Sequence, residues 1–156
     1  MSNTKTFSNI LYIDDEIHNL NSFRASFRRI YNVFTAISAD EGKNILDKNE
    51  IHVIITDQRM PGSTGVEFLE SIIPFYPDPP RILLTGYADM DAVIAAINKG
   101  SIYKYVQKPW KEEELQQIID GALEIYALKK SKKELTEKLI EMNEQMEFLL
   151  RQNLLS

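Results

Sequence analysis

Two runs of three aliphatic residues, Val53-Ile54-Ile55 and Ile82-Leu83-Leu84, constrain the fold more than any other feature of the sequence. They are continuously apolar rather than alternating, which predicts strands covered on both faces, the habit of a parallel sheet. Three more runs rich in β-branched or aromatic residues, 9–13, 32–37 and 103–107, join the two that hold these aliphatic triplets, 52–56 and 81–85. Five strands are predicted, the third and fourth central.

Helical patterns fill the gaps. Leu20, Phe23, Phe27 and Ile30 are spaced by three, four and three, which places them on one helix face. Ser38-Ala39-Asp40-Glu41 has capping-box spacing ahead of Ile45 and Leu46, so a second helix should start there. A third is expected over 65–73, stopped by Pro74. A fourth carries Met90, Val93, Ile94 and Ile97 and ends at Gly100, and a fifth begins after Pro109-Trp110. The four prolines within 74–80 make that connector stiff and non-helical. Parallel neighbours need long return connections, so strict alternation of strand and helix predicts a doubly wound α/β fold with a five-stranded parallel sheet.

Composition narrows the function classes. The 156 residues suffice for one domain with an appendage, and 44% hydrophobic beside 26% charged residues is ordinary for a globular protein. A net charge of −5 without a Lys/Arg block argues against direct nucleic-acid binding by this segment. The absence of cysteine excludes disulfides and thiolate chemistry. Residues 1–7 lack the apolar core of a signal peptide and no apolar run approaches a membrane span, so a cytoplasmic location without membrane contact is expected.

Open α/β sheets bind ligands beyond the carboxyl ends of their strands. The residues there are Asp14 and Asp15, Asp57, Thr85 and Lys108. Carboxylates gathered at one edge repel one another unless a cation neutralises them, and an all-oxygen donor set favours Mg²⁺. A lysine beside such a cation calls for a third, anionic partner, and a phosphoryl group suits both. Asp57 precedes the turn-rich loop Gln58-Arg59-Met60-Pro61-Gly62 and is the best-placed carboxylate nucleophile for phosphoryl transfer. Taken singly, Asp14 and Asp15 could be helix caps, Asp57 a turn residue, Thr85 a plain strand residue, Tyr105 a core aromatic and Lys108 solvated surface. His18 and His52 lack metal-ligand partners at useful spacing and read as ordinary helix and strand residues.

The set and its order resemble the receiver domain of bacterial two-component response regulators over about 9–128. The resemblance rests on the acidic turn Ile13-Asp14-Asp15-Glu16, on Thr56-Asp57 followed by Met60-Pro61 and Gly65, on Thr85-Gly86, and on Lys108-Pro109. It implies a flavodoxin-like sheet of order 2-1-3-4-5 with an extended C-terminal helix, and a domain over 1–125. It implies that Asp57 accepts phosphoryl from a sensor histidine kinase or phosphotransfer protein. Mg²⁺ would be bound directly by Asp15 and Asp57, through water by Asp14, and by the backbone carbonyl of Arg59. Lys108 and Thr85 would contact the phosphoryl oxygens, Tyr105 would be the aromatic switch, and the Lys108-Pro109 peptide would be cis. Arg59 and Tyr87 flank the path of attacking water and are expected to slow hydrolysis of the acyl phosphate.

A phosphatase of haloacid-dehalogenase-like type shares the sheet, the metal and the aspartyl phosphate. That family needs a second aspartate two residues after the nucleophile, where Arg59 stands and cannot release a proton. A degenerate receiver used as a docking scaffold is disfavoured because no acceptor or metal residue is missing. Catalysis is accordingly expected to be limited to self-phosphorylation and dephosphorylation.

Beyond Trp110 the helical pattern continues through Ile125, Leu128, Leu135, Leu139, Met142, Met146 and Leu149. With Ile125 at a, Leu128, Leu135, Met142 and Leu149 fall at d, and Lys132 and Asn153 are polar a residues. This predicts a helical extension over 126–156 that forms a parallel homodimeric coiled coil. A single amphipathic helix folded onto its own domain is the alternative. Such an extension resembles the signalling helix between a receiver and an output domain, so the chain is expected to be part of a longer regulator. The run Tyr103-Lys104-Tyr105-Val106-Gln107-Lys108-Pro109-Trp110 resembles receivers joined to enzymatic outputs such as cyclic-dinucleotide cyclases and HD-type phosphodiesterases.

Overall fold

The computed structural model describes residues 7–86 and 90–155. Strands β1 (Asn9–Ile13), β2 (Asn32–Ala36), β3 (Val53–Asp57), β4 (Arg81–Thr85) and β5 (Lys104–Gln107) alternate with helices α1 (Ile17–Phe27), α2 (Ala39–Lys48), α3 (Gly65–Ile72), α4 (Met90–Asn98) and α5 (Glu112–Leu155). All four strand pairings are parallel, in the order β2-β1-β3-β4-β5. Every residue of β3 and β4 is buried, as their aliphatic runs require.

The period of two along β1 divides the core. Ile10 and Tyr12 join Phe23 and Phe27 of α1 and Leu115 and Ile119 of α5 on one face. Leu11 and Ile13 join Leu46 of α2, Leu69 of α3 and Val93 of α4 on the other. Each such side chain fully removed from water contributes about 1.5–3 kcal/mol, so the two clusters dominate stability. The capping box of α2 forms as expected at Ser38, whose hydroxyl accepts the Glu41 N–H at 3.2 Å. The Glu41 carboxylate reaches one residue further back, to the Ile37 N–H at 3.4 Å.

Three expectations need correction. Ile30 does not share the face of Leu20, Phe23 and Phe27, because α1 ends at Phe27 and the chain turns. Tyr31 is buried in its place, its ring 5.9 Å from that of Phe27. On α4, Val93 and Ala96 face the core, while Ile94 and Ile97 remain 49% and 36% exposed. Of the apolar residues that mark this helix, Val93 is therefore in the core and Ile94 and Ile97 are not. At the strand ends, His52 and Tyr103 precede β3 and β5, Ile37 lies outside β2, and Asp57 is itself the last residue of β3.

Arg81 opens β4 and is buried. Its guanidinium donates to the carbonyls of Ser101 at 2.7 Å, Pro79 at 3.2 Å, Pro77 at 3.3 Å and Gly100 at 3.3 Å, tying the proline connector to the turn after α4.

The chain divides into two compact units, Met1–Tyr126 and Ala127–Ser156. In the second, Leu128, Leu135, Leu139, Met142, Met146 and Leu149 are between 58% and 69% exposed. Among the described residues, no helix is long and apolar enough to cross a membrane.

Candidate functional site

The carboxyl ends of β1, β3, β4 and β5 carry the chemistry. Asp14 leaves β1 with its own N–H still bonded to the Ala36 carbonyl at 3.0 Å. Its Oδ1 accepts the Glu16 N–H at 3.0 Å, a side-chain turn that aims the chain into α1. Glu16 rather than either aspartate is the N-cap of α1, and it makes no side-chain cap bond. Asp15 faces solvent. One oxygen from each of Asp14, Asp15 and Asp57 can be chosen so that all three lie within 4.8 Å of one another.

Asp57 is held at the end of a fully buried strand. The Gln58 N–H donates both to the Leu84 carbonyl at 3.1 Å and to Asp57 Oδ1 at 3.0 Å, so strand pairing and carboxylate orientation share one donor. Gln58 is itself buried, and its side-chain oxygen accepts the Val66 N–H at 3.0 Å, anchoring the loop to the first turn of α3. Gly65 is required at that turn: a Cβ there would stand 2.4 Å from the Asp57 carbonyl oxygen.

Lys108 comes from the end of β5. Its backbone N–H donates to the Thr85 carbonyl at 2.9 Å, and its peptide bond to Pro109 is cis. Its ammonium lies 2.7 Å from Asp57 Oδ1 and 3.8 Å from Asp14 Oδ2. Burial pushes the Asp57 carboxyl above the ordinary carboxylate range, the Lys108 ammonium and the Gln58 N–H pull it back, and the charge of Asp14 adds to the rise.

This arrangement suits a divalent cation. Oxygens on opposite sides of a Mg²⁺ ion stand about 4.2 Å apart, so a cluster spanning 4.8 Å needs only small adjustment or one bridging water. One lysine among three acidic groups leaves negative charge for such an ion to neutralise.

The remaining residues are placed as follows. Thr85 is buried, and its hydroxyl donates to the Gly86 carbonyl at 3.0 Å, so it is near the site without pointing a bond into it. Tyr105 is 39% exposed on β5 and is not a core aromatic. Arg59 is exposed in the loop after β3. Tyr87 lies outside the described residues. His52 accepts the Asn9 N–H at 2.8 Å, and its ring packs 5.0 Å from that of Tyr126.

Two contributors to the site escape a reading by motif. The Tyr12 hydroxyl donates to Asp14 Oδ2 at 2.6 Å, and Asn19 Nδ2 donates to the same oxygen at 3.0 Å. The only sequence signal is a polar-tipped aromatic within the aliphatic run of β1, two residues before Asp14 and so on its side of the sheet. Burial and the bond to Asp14 push the Tyr12 phenol up, keeping it a donor. Beside these groups opens a cavity of about 410 Å³ lined by Tyr12, Asn19, Ser22, Lys108, Pro109 and Trp110.

Fold and site together define a five-stranded parallel α/β domain with an acidic, lysine-paired pocket at the carboxyl ends of its strands. Residues 10–120 match the family model described as response regulator receiver domain. The chain belongs to that family, and Asp14, Asp15 and Asp57 form the aspartate cluster of its phosphorylation site. The hydrogenase transcriptional regulatory protein HoxA of Cupriavidus necator is 38% identical over 119 residues, 76% of this chain and 25% of that protein. A solved structure described as adenylate cyclase from Rhodopirellula baltica superposes with a TM-score of 0.82 at 28% identity, over 85% of this chain and 98% of that one. The signal receiver domain of an HD domain-containing protein from Pseudomonas fluorescens Pf-5 gives 0.76 at 29% identity, over 84% and 97%. The chain spans about a quarter of the length of the HoxA relatives it matches.

Proposed function

We propose that Asp57 accepts a phosphoryl group from the phosphohistidine of a sensor histidine kinase or phosphotransfer protein, as the receiver assignment of 1–125 implies. The observation that carries this reading is the 2.7 Å contact between Lys108 and Asp57 in a cluster of three aspartates, of which Asp14 and Asp57 are buried and Asp15 is exposed. An Asp57 oxygen attacks phosphorus, the bond from phosphorus to the histidine nitrogen breaks, and the nitrogen keeps the electron pair. Lys108 stabilises the transferring oxygens, and Thr85 turns its hydroxyl from Gly86 to one of them. Asp15, Asp57 and the Arg59 carbonyl would hold Mg²⁺ directly and Asp14 through water. When bound, the ion supplies charge neutralisation at the phosphoryl oxygens.

The phosphorylated state then biases a pre-existing equilibrium in which Tyr105 changes exposure. Residues 126–156 carry that bias as a dimeric coiled coil toward an output domain. The exposed apolar positions of the second unit support a partner helix, and a second copy is favoured because e and g residues such as Ser131, Thr136, Asn143 and Gln145 encode little charge selectivity. The relatives are described variously as a transcriptional regulator, an adenylate cyclase and an HD domain-containing protein, so the receiver pattern is compatible with several outputs. The dehalogenase-like phosphatase reading finds no support at position 59.

The test is incubation with acetyl phosphate and MgCl₂. The wild-type chain should take up one acid-stable, base-labile phosphoryl group, and Asp57→Asn or added chelator should abolish it. Equal labelling of Asp57→Asn would refute the assignment, and sustained turnover of small phosphoesters would revive the phosphatase.

A further inference from the structure

The Asp14 carboxylate is fully buried, and its two oxygens are held by different means. Oδ2 accepts from the Tyr12 hydroxyl at 2.6 Å and from Asn19 Nδ2 at 3.0 Å, whereas Oδ1 accepts the Glu16 N–H at 3.0 Å. A carboxylate oxygen has about two acceptor sites, so two neutral donors fill those of Oδ2. Lys108 stands 3.8 Å from this same oxygen, outside hydrogen-bond distance, and 2.7 Å from Asp57 Oδ1.

The hydroxyl of Tyr12 is not demanded by packing. Its ring lies 4.6 Å from that of Phe23 in the core shared with α1, a contact that phenylalanine would make equally well. What the hydroxyl adds is a donor aimed at one oxygen of one acidic residue. Two of the nearest charged groups, Asp14 and Asp57, compete for the same lysine, and filling Oδ2 with neutral donors decides that competition. An Asp14 carboxylate with an open acceptor site would draw the ammonium away from Asp57 and would itself turn from the metal cluster.

We propose that Tyr12, assisted by Asn19, is a positioning residue that fixes the Asp14 carboxylate by Oδ2, keeping it in place for Mg²⁺ and leaving Lys108 to Asp57. The assignment rests on reading the aspartate cluster as the Mg²⁺ site. Partners that orient a ligand from behind are worth about 10-fold to 100-fold in metal affinity.

The test uses the full chain as wild type, Tyr12→Phe, Asn19→Ala and Asp57→Asn. MgCl₂ binding is measured by calorimetry and thermal unfolding is followed without metal. Tyr12→Phe and Asn19→Ala should unfold cooperatively like the wild type and bind Mg²⁺ about tenfold more weakly or worse. Their labelling by acetyl phosphate should be slow at low Mg²⁺ and recover at least in part at saturating Mg²⁺, a rescue that general structural damage would not show. Wild-type affinity in both folded variants, or a labelling defect of the same size at low and at saturating Mg²⁺, would overturn the role of Tyr12. Should Tyr12→Phe fail to fold, Asn19→Ala decides the matter, since Asn19 is only half-buried on α1. Absence of Mg²⁺ binding by the wild type would instead sink the reading of the whole cluster, and the Tyr12 assignment with it.

Discussion

The ammonium of Lys108 lies 2.7 Å from Oδ1 of Asp57, a contact made across β4 from the far side of the site, with Lys108 held by a backbone bond to Thr85. This pairing makes a buried carboxylate tolerable before any cation binds, and places a fixed positive charge where phosphoryl oxygens would sit. Replacing Lys108 by methionine should slow phosphorylation of Asp57 by about 100-fold to 1,000-fold, the scale on which a preorganised charge acts. Labelling rates with acetyl phosphate at saturating Mg²⁺ measure this.

Burial raises the pKa of Asp57, and Lys108 only partly offsets the rise. A carboxyl whose folded-state pKa lies above its unfolded value contributes stability that is complete below the unfolded pKa and lost as pH rises through the folded one. At neutral pH the ionised form therefore works against the fold. Asp57→Asn should raise the stability of the metal-free protein by on the order of 1 kcal/mol at pH 7, with the gain shrinking below pH 4. Urea unfolding at the two pH values checks the sign.

Magnesium should stabilise the wild type and not Asp57→Asn to the same degree. Binding to the folded state alone contributes about 2.7 kcal/mol at a hundred times the dissociation constant. Melting curves with and without MgCl₂, with CaCl₂ as a comparison, measure it.

Gly65 bears on both fold and site. An added Cβ would meet the Asp57 carbonyl oxygen at 2.4 Å and Leu83 Cδ1 at 2.8 Å, so Gly65→Ala must push β3 or α3 away. A loss of about 1–3 kcal/mol is expected, as for other overpacked sites, together with slower labelling of Asp57. Denaturation and labelling of the same preparation should fall together.

In the second unit, Leu135 and Met142 occupy d positions and are 62% and 58% exposed in the single chain. Leu135→Glu with Met142→Glu should convert a dimer to a monomer in sedimentation, with the unfolding of Met1–Tyr126 unaffected. An undiminished dimer would place the contact elsewhere.

The fold is legible in the sequence wherever burial on both faces leaves no choice of residue. The aliphatic runs of β3 and β4 identify the central strands, and the capping box at Ser38 locates the start of α2. Legibility fails where the partner is distant. Ile30 continues the helical period, and only the turn after Phe27 replaces it with Tyr31. On α4, Val93 and Ala96 face the core in place of the larger Ile94 and Ile97, because the surface beneath sets which face turns inward. Asp14, Asp15, Asp57 and Lys108 can be found because strand ends carry ligands in such sheets. Tyr12 and Asn19 cannot, since the side-chain hydrogen bonds that β1 and α1 each send to Asp14 follow no motif spacing. The four carbonyls that hold Arg81 are invisible for the same reason.

One carboxylate, Asp57, is proposed to carry the signal. Borohydride reduction of the acetyl-phosphate-treated protein converts an acyl phosphate to an alcohol that peptide mass spectrometry can locate. Reduction at position 57 alone, dependent on Mg²⁺ and lost in Lys108→Met at short times, is the predicted result. Reduction at Asp14 or Asp15, or an equal yield in the presence of chelator, would contradict it.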